Sequence, residues 1–153
     1  MKVRIELDEG RTEDEVVICC QSLTEEIKMI QSAVASITSP RQNIILYREE
    51  TEYYIPLEDI LFFETEGAIL NAHTRENVYQ ARYRLYELEN MFDGNFVRVS
   101  KSSLVNLQEI YSLSRSSLST TSVISFIGTH KQVFVSRHYN KQLKEKLSDR
   151  RKR

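Results

Sequence analysis

The 153-residue sequence predicts a mainly β chain with few helices, behind a short strand–strand–helix extension. Three observations carry this. The hydrophobic period is helical over residues 23–37 and changes to that of strands from Asn43 onward. Short apolar or alternating runs then recur, bounded by Gly, Pro, Asp and Asn turn signals. The content of 41% hydrophobic and 28% charged residues is that of a globular chain, and no repeat or low-complexity tract breaks it up.

In the extension, residues 1–40, Val3, Ile5 and Leu7 alternate with Arg4 and Glu6 and read as a strand, and Val16–Cys20 reads as a second. Ser22 and Glu25 form a capping-box pair that opens a helix. Leu23, Ile27, Ile30, Val34 and Ile37 make one apolar stripe along it, and Thr38-Ser39-Pro40 ends it. That stripe packs on its own strands, on the next domain, or on a second copy or partner.

From Asn43 the strand signals run in sequence. Ile44–Arg48 and Glu52–Ile55 flank the polar turn Glu49-Glu50-Thr51, and Pro56 starts a bend. Asp59–Glu64 is a buried strand run, Gly67 lets the chain reverse, and Ile69–His73 with Val78–Ala81 make another hairpin. Leu85, Leu88 and Phe92 mark a short helix closed by Asp93-Gly94. Strands follow at Phe96–Val99, Ile110–Leu113, Ser122–Phe126 and Val133–Val135, and Tyr139, Leu143 and Leu147 mark a last helix. A basic tail, 149–153, closes the chain, expected either to complement that helix's C-terminal dipole or to be disordered.

Several function classes find no support in these residues. No run approaches the roughly 20 apolar residues of a membrane span, and the alternating N-terminus is no signal peptide, so a cytoplasmic protein is expected. Cys19 and Cys20 are adjacent, suit neither a mutual disulfide nor a metal site, and read as small core side chains. His73, His130 and His138 lack metal-ligand spacing, no Gly-rich phosphate loop or Gly-x-Ser-x-Gly elbow is present, and Glu64 with Glu66 reads as a solvated strand end. The expectation is therefore no enzyme, no catalytic residue, no metal, no cofactor and no small-molecule substrate.

Charge is more telling. Residues 1–95 hold 9 basic against 19 acidic residues, net −10, and residues 96–153 hold 12 against 3, net +9. Such asymmetry points to a polyanion for the basic part, or to an acidic protein surface. Arg98, Lys101, Arg137, Lys141 and Lys144 are interleaved with Ser100, Ser102, Ser103, Asn106, Ser136 and Asn140. Cations attract phosphate and can donate to the guanine O6/N7 edge, while hydroxyls and amides fix register on the backbone. Neither cluster resembles a helix-turn-helix, so recognition from loops at strand and helix ends is expected.

Three blocks carry a family resemblance. Asp59–Glu64, then Phe96-Val97-Arg98-Val99-Ser100-Lys101-Ser102-Ser103-Leu104-Val105-Asn106, then Val133–Arg137 resemble, in order and spacing, the LytTR DNA-binding domain. The match runs over 43–148. The resemblance implies a core of small antiparallel sheets, loops entering successive major grooves of double-stranded DNA, and paired promoter repeats bound by a homodimer. It implies base-reading positions around Gly67, at Lys101 and at Arg137. The Gly67 turn is short, and Glu64 and Glu66 beside it repel phosphate, so this correspondence is the weakest. Ser100, Ser102, Asn106, His138 and Lys141 complete the candidate DNA-facing set, with a backbone-satisfying turn role as the alternative for Asn106. Arg98 is expected inside, paired with a carboxylate such as Glu64.

About forty N-terminal residues cannot hold the receiver domain of response regulators. The chain is similar to stand-alone LytTR regulators, which implies a membrane-bound regulatory partner and gives the extension a role in dimerisation or partner contact. The alternatives are a protein-interaction module or an RNA binder. The latter needs exposed stacking aromatics, whereas Tyr111, Phe126 and Phe134 read as core.

Overall fold

The computed structural model describes residues 4–10, 12–38, 41–115 and 121–152. The chain divides into two units, Met1–Pro40 and Arg41–Arg153. Of the expected features, Val3, Ser39-Pro40 and Arg153 lie outside the described residues. Among the described residues no helix is long and apolar enough to cross a membrane.

The first unit has its helix, α1 (Glu25–Thr38), but neither expected strand. Ile5 (82%), Leu7 (94%), Val16 (64%) and Val17 (67%) are exposed. Alternation fits a side chain to a pleat, but a strand also needs a partner ladder, and an isolated pair is marginal in water. What forms between the two runs is a local turn, in which Asp8 Oδ1 accepts the Gly10 N–H at 3.0 Å. The helix cap also differs from expectation. Thr24, not Ser22, opens α1, its Oγ1 accepting the Ile27 N–H at 3.4 Å, while Glu25 pairs with Lys28 at 2.7 Å. Cys19 and Cys20 are exposed thiols, which corrects their reading as core.

The second unit is the expected β-rich body. Its strands are β1 (Asn43–Arg48), β2 (Thr51–Pro56), β3 (Phe62–Glu66), β4 (Ile69–His73), β5 (Val78–Ala81), β6 (Phe96–Arg98), β7 (Ser103–Asn106), β8 (Ile110–Arg115), β9 (Ser122–Phe126) and β10 (Gln132–Val135). Two helices join them, α2 (Leu85–Met91) and α3 (Arg137–Lys152). The order β2-β1-β5-β4-β3-β7-β6 makes a seven-stranded antiparallel sheet, and β10-β9-β8 a three-stranded one. β3 starts at Phe62, not Asp59, because a 3-10 turn over Leu57–Asp59 extends the bend begun by Pro56. The β1–β2 turn places Glu49 at φ 56, where a side chain is strained.

Alternation along the central strands explains their near-continuous apolar sequence. Phe63, Leu104 and Phe96 face one core, with Ile44, Leu46 and Ala72 of the sheet and Leu85, Leu88 and Phe92 of the α2 region. Their neighbours Phe62, Val105 and Val97 face a second core, shared with Ile124, Phe126, Val133 and Val135 of the small sheet and Leu143 of α3. β6, β7 and the Phe62-Phe63 start of β3 are thus buried on both faces, so none of them shows the polar alternation of a one-sided strand. α2 is opened by Glu87, whose Oε2 accepts the Arg84 N–H at 3.2 Å.

Candidate nucleic-acid interface

Three loops meet at one end of the second unit, and backbone hydrogen bonds tie them together. The β3–β4 turn holds Gly67 at φ 62, and just before it the Thr65 N–H donates to the Ser102 carbonyl at 2.8 Å. The β6–β7 loop carries Ser100, Lys101 and Ser102. Beyond it, the Ser136 N–H, one residue before α3, donates to the Val99 carbonyl at 2.9 Å. The Gly67 turn, the Lys101 loop and the Arg137 corner are therefore neighbours. Loops 30 or more residues apart in sequence share this end because β3 pairs with β7 and the small sheet packs on their common face.

The Lys101 loop is braced from within. Ser100 Oγ accepts the Ser102 N–H at 3.2 Å and lies 3.3 Å from Ser102 Oγ. Val99 N–H donates to the Ser103 carbonyl at 3.0 Å. Arg98 donates to the Lys101 carbonyl at 3.1 Å and pairs with Glu89 of α2 at 3.3 Å. Its internal role agrees with expectation, but its partner is Glu89 and not Glu64. With its backbone held so, the exposed Lys101 side chain is presented outward. Ser100 and Ser102 are half-buried and spend their hydroxyls on the loop itself.

Asn106 is corrected as a DNA-facing candidate. It is 3% exposed, donates to the Ile60 carbonyl at 2.9 Å and accepts the Gln108 N–H at 3.0 Å, which fits its alternative role. A side chain this buried, held at both amide ends by its own backbone, does not reach a base edge.

Arg137, His138 and Lys141 are exposed at the start of α3, His138 lying edge-on to Tyr139 with ring centroids 5.0 Å apart. Leu143 and the half-buried Leu147 anchor the opposite side of the helix, and Lys146 pairs with Asp93 at 3.7 Å. Arg150 reaches back to the Leu107 carbonyl and, at 3.5 Å, to that of Gln108. The sequence showed only a basic tail there. Arg115, at the end of β8, lines one groove with Arg137, Asn140, Lys141 and Lys144. It stands in an ordinary Ser-Arg-Ser context with no signal to mark it.

The opposite end of the unit is a buttress. Arg75 pairs with Glu109 and donates to the Ile127 carbonyl at 3.0 Å. Lys131 donates to the carbonyls of Thr74 (2.8 Å) and Asn77 (3.0 Å). Burial lowers the Lys131 pKa. His73 stacks on Phe62 at 4.2 Å, and burial first, then the Lys131 charge, lowers its pKa to about 4. Among the described residues no group of His, Cys, Asp and Glu could hold a metal ion.

One expectation about aromatics is overturned. Phe126 is core, but Tyr111 (74%) and Phe134 (66%) are exposed. Phe134 alternates with the buried Val133 and Val135, so it points off the outer face of the small sheet. Apolar runs on an edge strand do not reveal which face is covered.

A β-sheet body that presents the exposed Lys101 and Arg137 on a braced backbone at one end offers a surface suited to a polyanion. The model of the LytTr DNA-binding domain matches residues 50–148. The chain belongs to the LytTR family of DNA-binding domains. A solved LytTr DNA-binding domain from Bacillus cereus has the same fold, with a TM-score of 0.64 at 20% identity, covering 71% of this chain and 98% of that one. Two relatives from Staphylococcus aureus, strains bovine RF122 / ET3-1 and NCTC 8325 / PS 47, are each 26% identical over 149 residues. These alignments cover 97% of this chain and 99% of the relatives, which are named uncharacterized HTH-type transcriptional regulators. In the present chain no two consecutive elements among the described residues are helices, so the fold itself is no helix-turn-helix.

Proposed function

We propose that the chain is a transcription regulator that binds duplex DNA sequence-specifically, reading major grooves through loops. Two protomers would engage paired promoter repeats. The observation that carries this reading is the junction of the Lys101 loop, the Arg137 corner and the Gly67 turn through the Thr65–Ser102 and Val99–Ser136 hydrogen bonds. Lys101 and Arg137 are long, exposed cations on a braced backbone, the chemistry that donates to guanine edges. His138 and Lys141 follow on the first turn of α3 and suit phosphate contacts. Gly67 has no side chain, so any contact there is by backbone.

The stripe of Ile27, Ile30 and Val34 on α1 supports a role for residues 1–40 in dimerisation or in contact with a regulatory partner, a membrane-bound one included.

Selection of genomic fragments bound by the purified protein tests the reading: a recovered direct repeat is expected, and no enrichment over input would refute it. On that repeat, Arg137→Ala is expected to cost about 1–3 kcal/mol and to relax preference at one base. Equal loss on repeat and random DNA would make Arg137 a phosphate contact instead. The exposed Tyr111 and Phe134 favour a second reading, single-stranded RNA binding by stacking. Competition of RNA against the duplex separates the two.

A further inference from the structure

We propose that the outer side of α3, together with Arg115 of β8, is a phosphate track that extends the DNA contact well beyond the loops. This rests on the DNA-binding reading above and adds a second surface to it.

Arg137, Lys141 and Lys144 recur at spacings of 4 and 3 along α3 and share one face. A rise of about 1.5 Å per residue puts Lys144 roughly 10 Å beyond the Arg137 corner, about three phosphate spacings along one DNA strand, with Lys141 between them. Arg115 supplies the other wall. It pairs with Ser122 in the β8–β9 register, and Ser122 Oγ bonds Asn140 Oδ1 of α3 at 3.4 Å. Arg115 is two residues from Leu113, which packs into the core beneath α3, so it stands at the rim of the sheet face that the helix covers. Lys144 and Arg115 are exposed, and both line the groove with Arg137 and Lys141.

Charge in the groove favours an anion. Four cations face two carboxylates, Glu145 and Asp149. The opposite side of α3 has its charges paired or tethered, Lys146 with Asp93 and Arg150 on the Leu107 carbonyl. The groove begins at Arg137 itself, so a strand whose bases meet the Arg137 corner would leave along α3. Such contacts carry no sequence information; they set affinity and register.

The test is the Arg115→Gln/Lys144→Gln double variant, compared with the parent on the recovered repeat and on a base-scrambled duplex. Each lost phosphate contact removes about 0.9 from the slope of log K against log salt. The double variant should therefore show a slope shallower by about 1.8 and, at 0.15 M salt, an affinity about 30-fold lower on both duplexes. Base preference should stay as in the parent. Glu145→Gln should tighten binding to both. Lys146→Gln removes the same charge from the opposite side and should leave the slope unchanged. An unaltered slope in the double variant, while Arg137→Ala still relaxes base preference, overturns the track and leaves the DNA-binding reading intact. A Lys146→Gln effect equal to half that of the double variant also overturns it, since net charge would then explain both. A parent that shows no salt-dependent duplex binding refutes the underlying reading itself.

Discussion

Asn106→Ala separates the interior from the DNA face. Asn106 Nδ2 donates to the carbonyl of Ile60, a residue with no exposed surface, and its Oδ1 accepts the Gln108 N–H. Truncation strands the Ile60 carbonyl in the core at about 1–3 kcal/mol. Losing the second, half-buried bond adds about 0.5–1.5 kcal/mol. The backbone link from the Asn106 N–H to the Leu61 carbonyl at 2.8 Å survives, so the β3–β7 pairing is kept and the total is about 2–4 kcal/mol. For a domain of this size that lowers Tm by roughly 5–15 °C. Urea unfolding followed by far-UV circular dichroism measures it directly. DNA affinity, taken well below the transition, should stay within about twofold of the parent, because the side chain never reaches the surface. A stability change below about 0.5 kcal/mol together with a tenfold fall in DNA affinity would place Asn106 on the DNA face after all.

Arg98→Met removes the Glu89 pair and the brace on the Lys101 carbonyl, and should destabilise by about 1–2 kcal/mol while lowering sequence preference. Amide exchange at Lys101 and Ser102 should quicken; unchanged exchange would mean the brace is idle. His73 has a folded pKa near 4 against an unfolded value of 6.5, so its neutral form belongs to the fold. Its contribution is complete above pH 6.5 and is lost as pH falls through 4, amounting to about 2 kcal/mol once solvent access to the half-buried ring is allowed for. His73→Phe should lose less stability than the parent between pH 7 and 4.5 in urea titrations. Parallel curves would show that the imidazole does not titrate with folding.

Much of the second unit was legible because its signals are local. The turns at Gly67 and Gly128 and the two-residue turn after Arg48 punctuate strands whose apolar residues either alternate or run together. β7 escaped notice because its ends, Ser103 and Asn106, are polar residues that belong to loops in most sequences. Both are nevertheless buried, Asn106 because the Ile60 carbonyl needs a donor. The opposite holds among the described residues before α1, where Arg4–Leu7 and Val16–Cys20 have strand composition but no ladder to join. Composition specifies what a strand would present; only a neighbouring edge makes it a strand. The same blindness to partners placed Tyr111 and Phe134 in the core and the two cysteines with them.

The site shows where sequence information runs out in a second way. Lys101 and Arg137 could be chosen because a long cation beside a strand end is a chemical signal that one residue carries. What makes them a surface is carried by atoms with no sequence identity: the carbonyls of Val99, Lys101 and Ser102, which accept from Ser136, Arg98 and Thr65. Of these three bonds, two are backbone to backbone and would survive nearly any substitution, so they follow from the topology and not from a motif. Arg98 is the exception: its side chain joins α2 to the Lys101 loop, through Glu89 on one side and the Lys101 carbonyl on the other. A loop braced in this way gives up little conformational freedom on binding, which is how a β body without a recognition helix can hold a cation at a fixed position for a base edge.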